Sequence, residues 1–309
     1  WLVGDVMSVA AKGEADVGKR LTGKEGLALT VVSRSLGRLT GDIVDGQATT
    51  RGVLAGRASD WAYSGALTGS DLEAVGYRLA RAQGPVKVAR RNGELTIAGV
   101  LGGDGGSGRG YVPALLGARP TADVAIARLK DGRWLIRRIV AKGAGLDLQA
   151  TGERALLGGL AFKGEAQMAN LQAARIGARG RATASWSASS GGKGRPWVFS
   201  LDARGAAFAT GLGELDRLLG ATPRLRGKLE YLKGVVSVNE AELEGALGSA
   251  RAAGLIGPAG ALKLKLDWNA RGPFRAGPVE ISGEARGSGA VTGSLKAPRA
   301  DLIAELAEV

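Results

Sequence analysis

The chain has 309 residues with 52 Gly, 5% aromatic residues, and neither His nor Cys; Lys+Arg 42 against Asp+Glu 29 leaves a net charge of +13. Without His or Cys there is no Ser-His-Asp or Cys-His nucleophile, no ordinary zinc site and no disulfide. A hydrophobic content of 45% is too high for disorder, and no run approaches the roughly 18 apolar residues of a membrane helix.

Taken in chain order, short alternating segments separated by glycine dominate. Residues 27–31, 94–98, 123–127, 134–139, 146–148, 197–201 and 228–232 read as strands, with turns at Asn92-Gly93, Asp131-Gly132 and Lys233-Gly234. A strand begins every 8–14 residues or so, the rhythm of an antiparallel meander. About 25 strands at ~4.8 Å spacing would make a trough on the order of 100 Å long. Two helices are expected. Residues 70–81 carry a capping box, Ser70 with Glu73. Residues 211–219 place Leu212, Leu215 and Leu219 on one face and stop at Gly220. The clearest strand is 261–269, in which Leu262, Leu264, Leu266 and Trp268 alternate with Lys263, Lys265, Asp267 and Asn269.

One internal repeat emerges. Leu115-Leu-Gly-Ala-Arg-Pro120 matches Leu218-Leu-Gly-Ala-Thr-Pro223, and the same offset of 103 brings Leu129-Lys130 onto Leu232-Lys233. Each copy is a short helix or turn, a proline and a hairpin, as in an architecture that grows by stacking units. The organisation expected is a single extended β-groove segment over 1–309.

The run from Leu215 to Tyr231 is similar to a stretch of the TamB family, the translocation and assembly module proteins of the Gram-negative envelope. The closing run from Gly293 to Leu306 is similar too, and its Gly-x-Leu-x-Ala-Pro-Arg element resembles the family's recurring unit. The resemblance is good over about 195–309 and stylistic over 1–194. Beginning at Trp1 and ending at Val309, without a visible signal peptide, the chain reads as an interior piece of a longer protein. The resemblance implies a body extended across the periplasm and anchored in the inner membrane by an absent N-terminal helix. It implies a curled antiparallel sheet forming an elongated groove, phospholipid acyl chains as cargo, and a TamA-like outer-membrane barrel as partner in protein assembly.

The residues suit that expectation. An uncovered apolar sheet face exceeds what a soluble monomer tolerates, and each buried CH₂ of an acyl chain is worth roughly 0.8 kcal/mol. The candidate lining is Leu95, Ile97, Val124, Ile126, Leu229, Tyr231, Leu262, Leu264, Leu266 and Trp268. No catalytic, metal or cofactor site is expected, and no enzyme.

Other motifs carry less. Gly103-Asp-Gly-Gly-Ser-Gly108 matches the dinucleotide pattern formally, but Arg109-Gly110 and Pro113 follow where a helix should open, so a flexible loop is expected. Glu240, Glu242 and Glu244 line one strand face instead of flanking a sugar-sized cleft, and read as a solvated face. Arg90-Arg91 and Arg137-Arg138, with Trp134 and Trp197, lack any nucleic-acid recognition signature, so no nucleic-acid partner is expected. A net positive charge favours anionic partners in general, phospholipid headgroups among them. The rival to a lipid groove is a secreted or surface structural β-protein, an autotransporter passenger or adhesin stalk, whose apolar faces close on themselves.

Overall fold

A computed structural model describes residues 2–40, 44–74, 76–108, 111–156, 158–173, 177–192, 194–276, 279–295 and 297–306. The fold is all-β and antiparallel, and it divides into two compact units, Trp1–Leu156 and Leu157–Val309.

In the first unit ten strands pair in sequence order: β1 (Leu2–Val3), β2 (Met7–Asp16), β3 (Leu21–Ser33), β4 (Asp45–Arg57), β5 (Asp60–Ala74), β6 (Tyr77–Arg91), β7 (Glu94–Gly108), β8 (Thr121–Arg128), β9 (Trp134–Lys142) and β10 (Asp147–Arg154). Helix α1 (Leu36–Thr40) follows β3 and α2 (Tyr111–Leu116) follows β7. The second unit runs β11 (Leu160–Met168), β12 (Arg179–Ser190), β13 (Trp197–Ala209), α3 (Gly213–Leu219), β14 (Arg224–Leu232), β15 (Val235–Glu244), β16 (Gly248–Ile256) and β17 (Leu262–Arg271). A small hairpin, β18 (Phe274–Ala276) and β19 (Val279–Ile281), then interrupts the meander. It resumes with β20 (Glu284–Ser294), paired to β17, and β21 (Ala297–Leu306).

Connections in a meander alternate between the two ends of its strands. Among the described residues the α-helices follow odd-numbered strands, so α1 and α2 share one edge of the first unit's sheet. The opposite edge holds tight turns. Asn92 and Gly93 sit at φ 50 and 79, and Lys233 and Gly234 at φ 48 and 85. Two consecutive positive φ values match the right-handed twist of the flanking strands, so these turns fix the register on either side.

Strands are longer than the glycine rhythm predicts: β5, β6 and β7 reach 15 residues each. The helix expected over 70–81 is absent. Its residues end β5 and begin β6, with Leu72 opposite Leu79 and Glu73 bonded to Arg78 at 2.9 Å. The capping box is overridden because β4 and β7 offer ladder hydrogen bonds along this stretch, which a helix would forfeit. The expected loop over 103–108 is likewise strand, the end of β7. Its glycines serve close approach: a Cβ at Gly103 would meet Leu79 at 2.9 Å and Pro120 at 3.0 Å, and one at Gly106 would strike the Tyr77 hydroxyl. Helix α3 falls where 211–219 predicts it, whereas α1 and α2 are too short to carry a readable periodicity.

The two stretches of the expected repeat make similar backbone bonds. Gly103 N–H donates to Pro120 O at 2.7 Å, and Gly205 N–H to Pro223 O at 2.8 Å. Ala144 N–H donates to Leu116 O at 3.2 Å, and Ala246 N–H to Leu219 O at 3.0 Å. In both copies a left-handed glycine ends the helix, Gly117 at φ 69 and Gly220 at φ 65. A Cβ on either would lie 2.6 Å from an alanine Cβ, of Ala144 or Ala246.

Buried clusters in the second unit gather beside the short connections: Ala270, Phe274 and Ala285 with Leu218 of α3, and Leu171, Ala178 and Ala182 with Phe208. Among the described residues no large side chain is fully buried. The chain exposes 19703 Å². One compact monomer of its 31.4 kDa would expose about 12,000 Å², and two compact halves about 14,600 Å².

Candidate functional site

Directly opposite residues in an antiparallel pair share a face, so the register reveals which side chains form each surface. In the first unit one row crosses β3 to β9 as Leu27, Leu54, Tyr63, Val88, Ile97, Ile126 and Ile136, each opposite the next. Leu95, Ile97, Val124 and Ile126 therefore lie on one face, and all four are half-buried. Toward β2 the face is concave. Residues of β2 to β6, among them Leu29, Leu54, Tyr63 and Val88, line a cavity of about 660 Å³. Of its polar lining groups, the Thr50 and Tyr63 hydroxyls lie 2.6 Å apart and the Thr22 hydroxyl accepts the Gly56 N–H at 3.1 Å. Together these pairings make the curled, one-sided sheet that the alternation predicts.

In the second unit the corresponding row runs Phe162, Ala188, Phe199, Leu229, Val238, Gly254, Leu264, Val291 and Ala300 across β11 to β21. The ridges and hollows of this row come from large residues set beside Ala and Gly. Tyr231, Leu262, Leu266 and Trp268 occupy parallel rows of the same face. Along β17 the pattern is strict: Leu262, Leu264, Leu266 and Trp268 are half-buried, while Lys263, Lys265, Asp267 and Asn269 are exposed. Tyr231 stands 43% exposed on that apolar face. The Trp268 indole nitrogen is buried without an acceptor among the described residues. Trp197 stacks between Phe162 and Phe199, its centroid 6.3 and 6.1 Å from theirs.

The sequence candidates thus divide between two faces, four in the first unit and six in the second. Sequence reasoning missed Leu54, Tyr63, Val88 and Ile136 in the first and Phe162, Phe199 and Val238 in the second. The signal was available in period 2, but pairing is needed to join separate alternating runs into one surface.

The charges on the described meander strands of the second unit stand on the opposite face. Arg224 grips Asp202 with two bonds of 3.0 and 2.5 Å, while Glu242 takes Arg226 at 3.1 Å and Arg251 at 2.9 Å. Hydrogen bonding from Arg251 holds the Glu242 carboxyl below the usual range, and Arg224 does the same for Asp202. The three glutamates are cross-strand partners of arginine and lysine: Glu240 of Lys228, Glu242 of Arg226 and Glu244 of Arg224. In the first unit Arg137 bonds Glu94 and Arg138 bonds Asp123 across strands. Trp134 lies beneath Arg128, 6.0 Å from its guanidinium carbon.

Among the described residues no group of three or more acidic side chains is placed to hold a metal ion, and no helix is long and apolar enough to cross a membrane. No protein-family model, curated protein or solved structure matches the chain.

Proposed function

We propose that the chain is a lipid-carrying β-groove segment of a TamB-like envelope protein. In this reading it conveys phospholipid between the inner and outer membranes, and acts with a TamA-like barrel in outer-membrane protein assembly and autotransporter secretion. The observation that carries the proposal is the continuous apolar row in each unit, whose large side chains are, among the described residues, half-buried rather than closed into a fully buried core. Such a face gives acyl chains a uniform floor, on which binding energy accrues per methylene and no single polar pocket fixes the ligand. A side chain missing or charged at mid-row interrupts that floor.

Native mass spectrometry of the chain purified from a bacterial periplasm, with lipid extraction, tests this. Phospholipid is expected at more than trace stoichiometry, and Leu264→Glu should reduce it several-fold, because burying one carboxylate against acyl chains costs about 2 kcal/mol or more. A lipid-free, stable, monodisperse chain would overturn the groove and favour a self-closed structural β-protein.

A further inference from the structure

The apolar face of the first unit carries three positive charges in one row. Arg90 is opposite Trp61 and Leu95, Arg128 is opposite Leu95 and Trp134, and Arg154 is opposite Trp134. By alternation they share the face of Val88, Ile126 and Gly152, two residues away on their strands. The row lies at the tight-turn edge and borders the apolar row directly. Because β6, β8 and β10 supply the arginines, they repeat every second strand, roughly 10 Å apart. Leu95 and Trp134 stand between them and Trp61 flanks Arg90, all three apolar and half-buried. Arg20 and Arg57 border the neighbouring cavity, each also beside a turn of that edge.

These arginines differ from the others nearby. Arg137 and Arg138, on the opposite face, are neutralised by Glu94 and Asp123. Arg90, Arg128 and Arg154 are exposed and, among the described residues, have no carboxylate partner. Cations beside an apolar surface interact more strongly with an anion than they would in open water, because the low-dielectric wall screens less. The matching ligand has a tail for the apolar row and a negative charge for its border. Among the described residues of the second unit, the turn-edge row of its apolar face, through Trp197, Tyr231, Val236, Ile256 and Leu262, holds no charge at its paired positions.

We propose that the row Arg90, Arg128 and Arg154 is a headgroup site, binding the anionic phosphate headgroup of a lipid whose acyl chains lie on the adjoining apolar row. This rests on the groove reading and adds selectivity by charge, confined to the first unit. A guanidinium suits the task because it offers paired donors to phosphate oxygens and stays charged at every physiological pH.

The test loads the purified chain from vesicles of phosphatidylglycerol or of phosphatidylcholine with identical acyl chains, and quantifies extracted lipid. The wild type should prefer the anionic lipid about tenfold, because the choline cation of phosphatidylcholine repels the arginines and offsets the phosphate charge they would bind. The triple variant Arg90→Gln, Arg128→Gln, Arg154→Gln should lose that preference and load both lipids alike through their acyl chains. A control, Lys12→Gln, Arg51→Gln, Lys87→Gln, removes three exposed charges from the opposite face and should keep the preference. Equal loading of both lipids by the wild type would overturn the headgroup site and leave the groove standing. So would a preference that survives in the triple variant, or one that the control loses equally. Loading of neither lipid would overturn the groove itself.

Discussion

The two units share a skeleton and differ in where they put charge. Both end a short helix with a left-handed glycine, and both anchor the following strand through proline carbonyls. In the second unit the face of Leu229, Leu264 and Trp268 carries no charged residue at its paired positions, while the opposite face holds linked ion pairs around Glu242. In the first unit that segregation fails along the row of Arg90, Arg128 and Arg154, with Arg20 and Arg57 at the neighbouring cavity. A sheet can therefore keep its hydrogen-bonded frame and change its surface chemistry one row at a time, because the ladder uses backbone and the rows use side chains.

The sameness of the skeletons is the easiest part to break. Gly117→Ala and Gly220→Ala each force a left-handed backbone on an L-residue and press a methyl against an alanine 2.6 Å away. Each should cost about 1–3 kcal/mol, read from urea unfolding followed by circular dichroism. Nearly equal losses mark equivalent joints; a loss at only one would dissolve the repeat as a structural unit.

The outer faces differ in their response to acid. Glu242 and Asp202 ionise below their ordinary values of 4.5 and 3.8 because arginines bond their carboxylates. With the folded value depressed, the unfolded chain binds more protons in the window below the ordinary value. That stability is thus complete above about pH 5 and is lost as pH falls through the depressed values. Asp131 of the first unit is lowered as well, first by the Arg133 backbone N–H and then by its guanidinium, within a single turn. Hydrogen exchange between pH 6 and pH 3 should show the second unit loosening more, and Glu242→Gln should flatten its acid limb. Equal loosening, unchanged in that variant, would mean that the ion pairs contribute nothing measurable.

The smallest effect expected is on stability at the arginine row. Arg128→Gln removes a cation over the Trp134 ring, worth about 0.5 kcal/mol at an exposed site. A melting midpoint lowered by more than a few degrees would assign Arg128 a structural role. A near-unchanged midpoint leaves its charge available for a ligand.

Much of this fold was legible in the sequence and some of it was not, for a physical reason. Alternation at 261–269 predicted both faces of β17, and Asn92-Gly93 and Lys233-Gly234 predicted their turns. The stretch 70–81 misled because a capping box is a local signal, while the pairing of β5 with β4 and of β6 with β7 is not. The glycines of 103–108 resembled a loop because their reason lies in Tyr77, Leu79 and Pro120, distant in sequence. The arginine row was written in the chain as the last member of three alternating series, Val86-x-Val88-x-Arg90, Val124-x-Ile126-x-Arg128 and Ala150-x-Gly152-x-Arg154. Period assigns each of them a face, but only register brings the three together.

The exposed area of 19703 Å² has a thermodynamic consequence. An unfolded chain of this mass exposes about 45,500 Å², so unfolding uncovers about 26,000 Å², where a compact monomer would uncover about 33,000 Å². Denaturant sensitivity and heat-capacity change both scale with that newly wetted area. A molecule that keeps so much surface in water when folded has less left to hydrate when it melts. Its urea dependence and its heat-capacity change should each be about a fifth smaller than those of a compact chain of 309 residues.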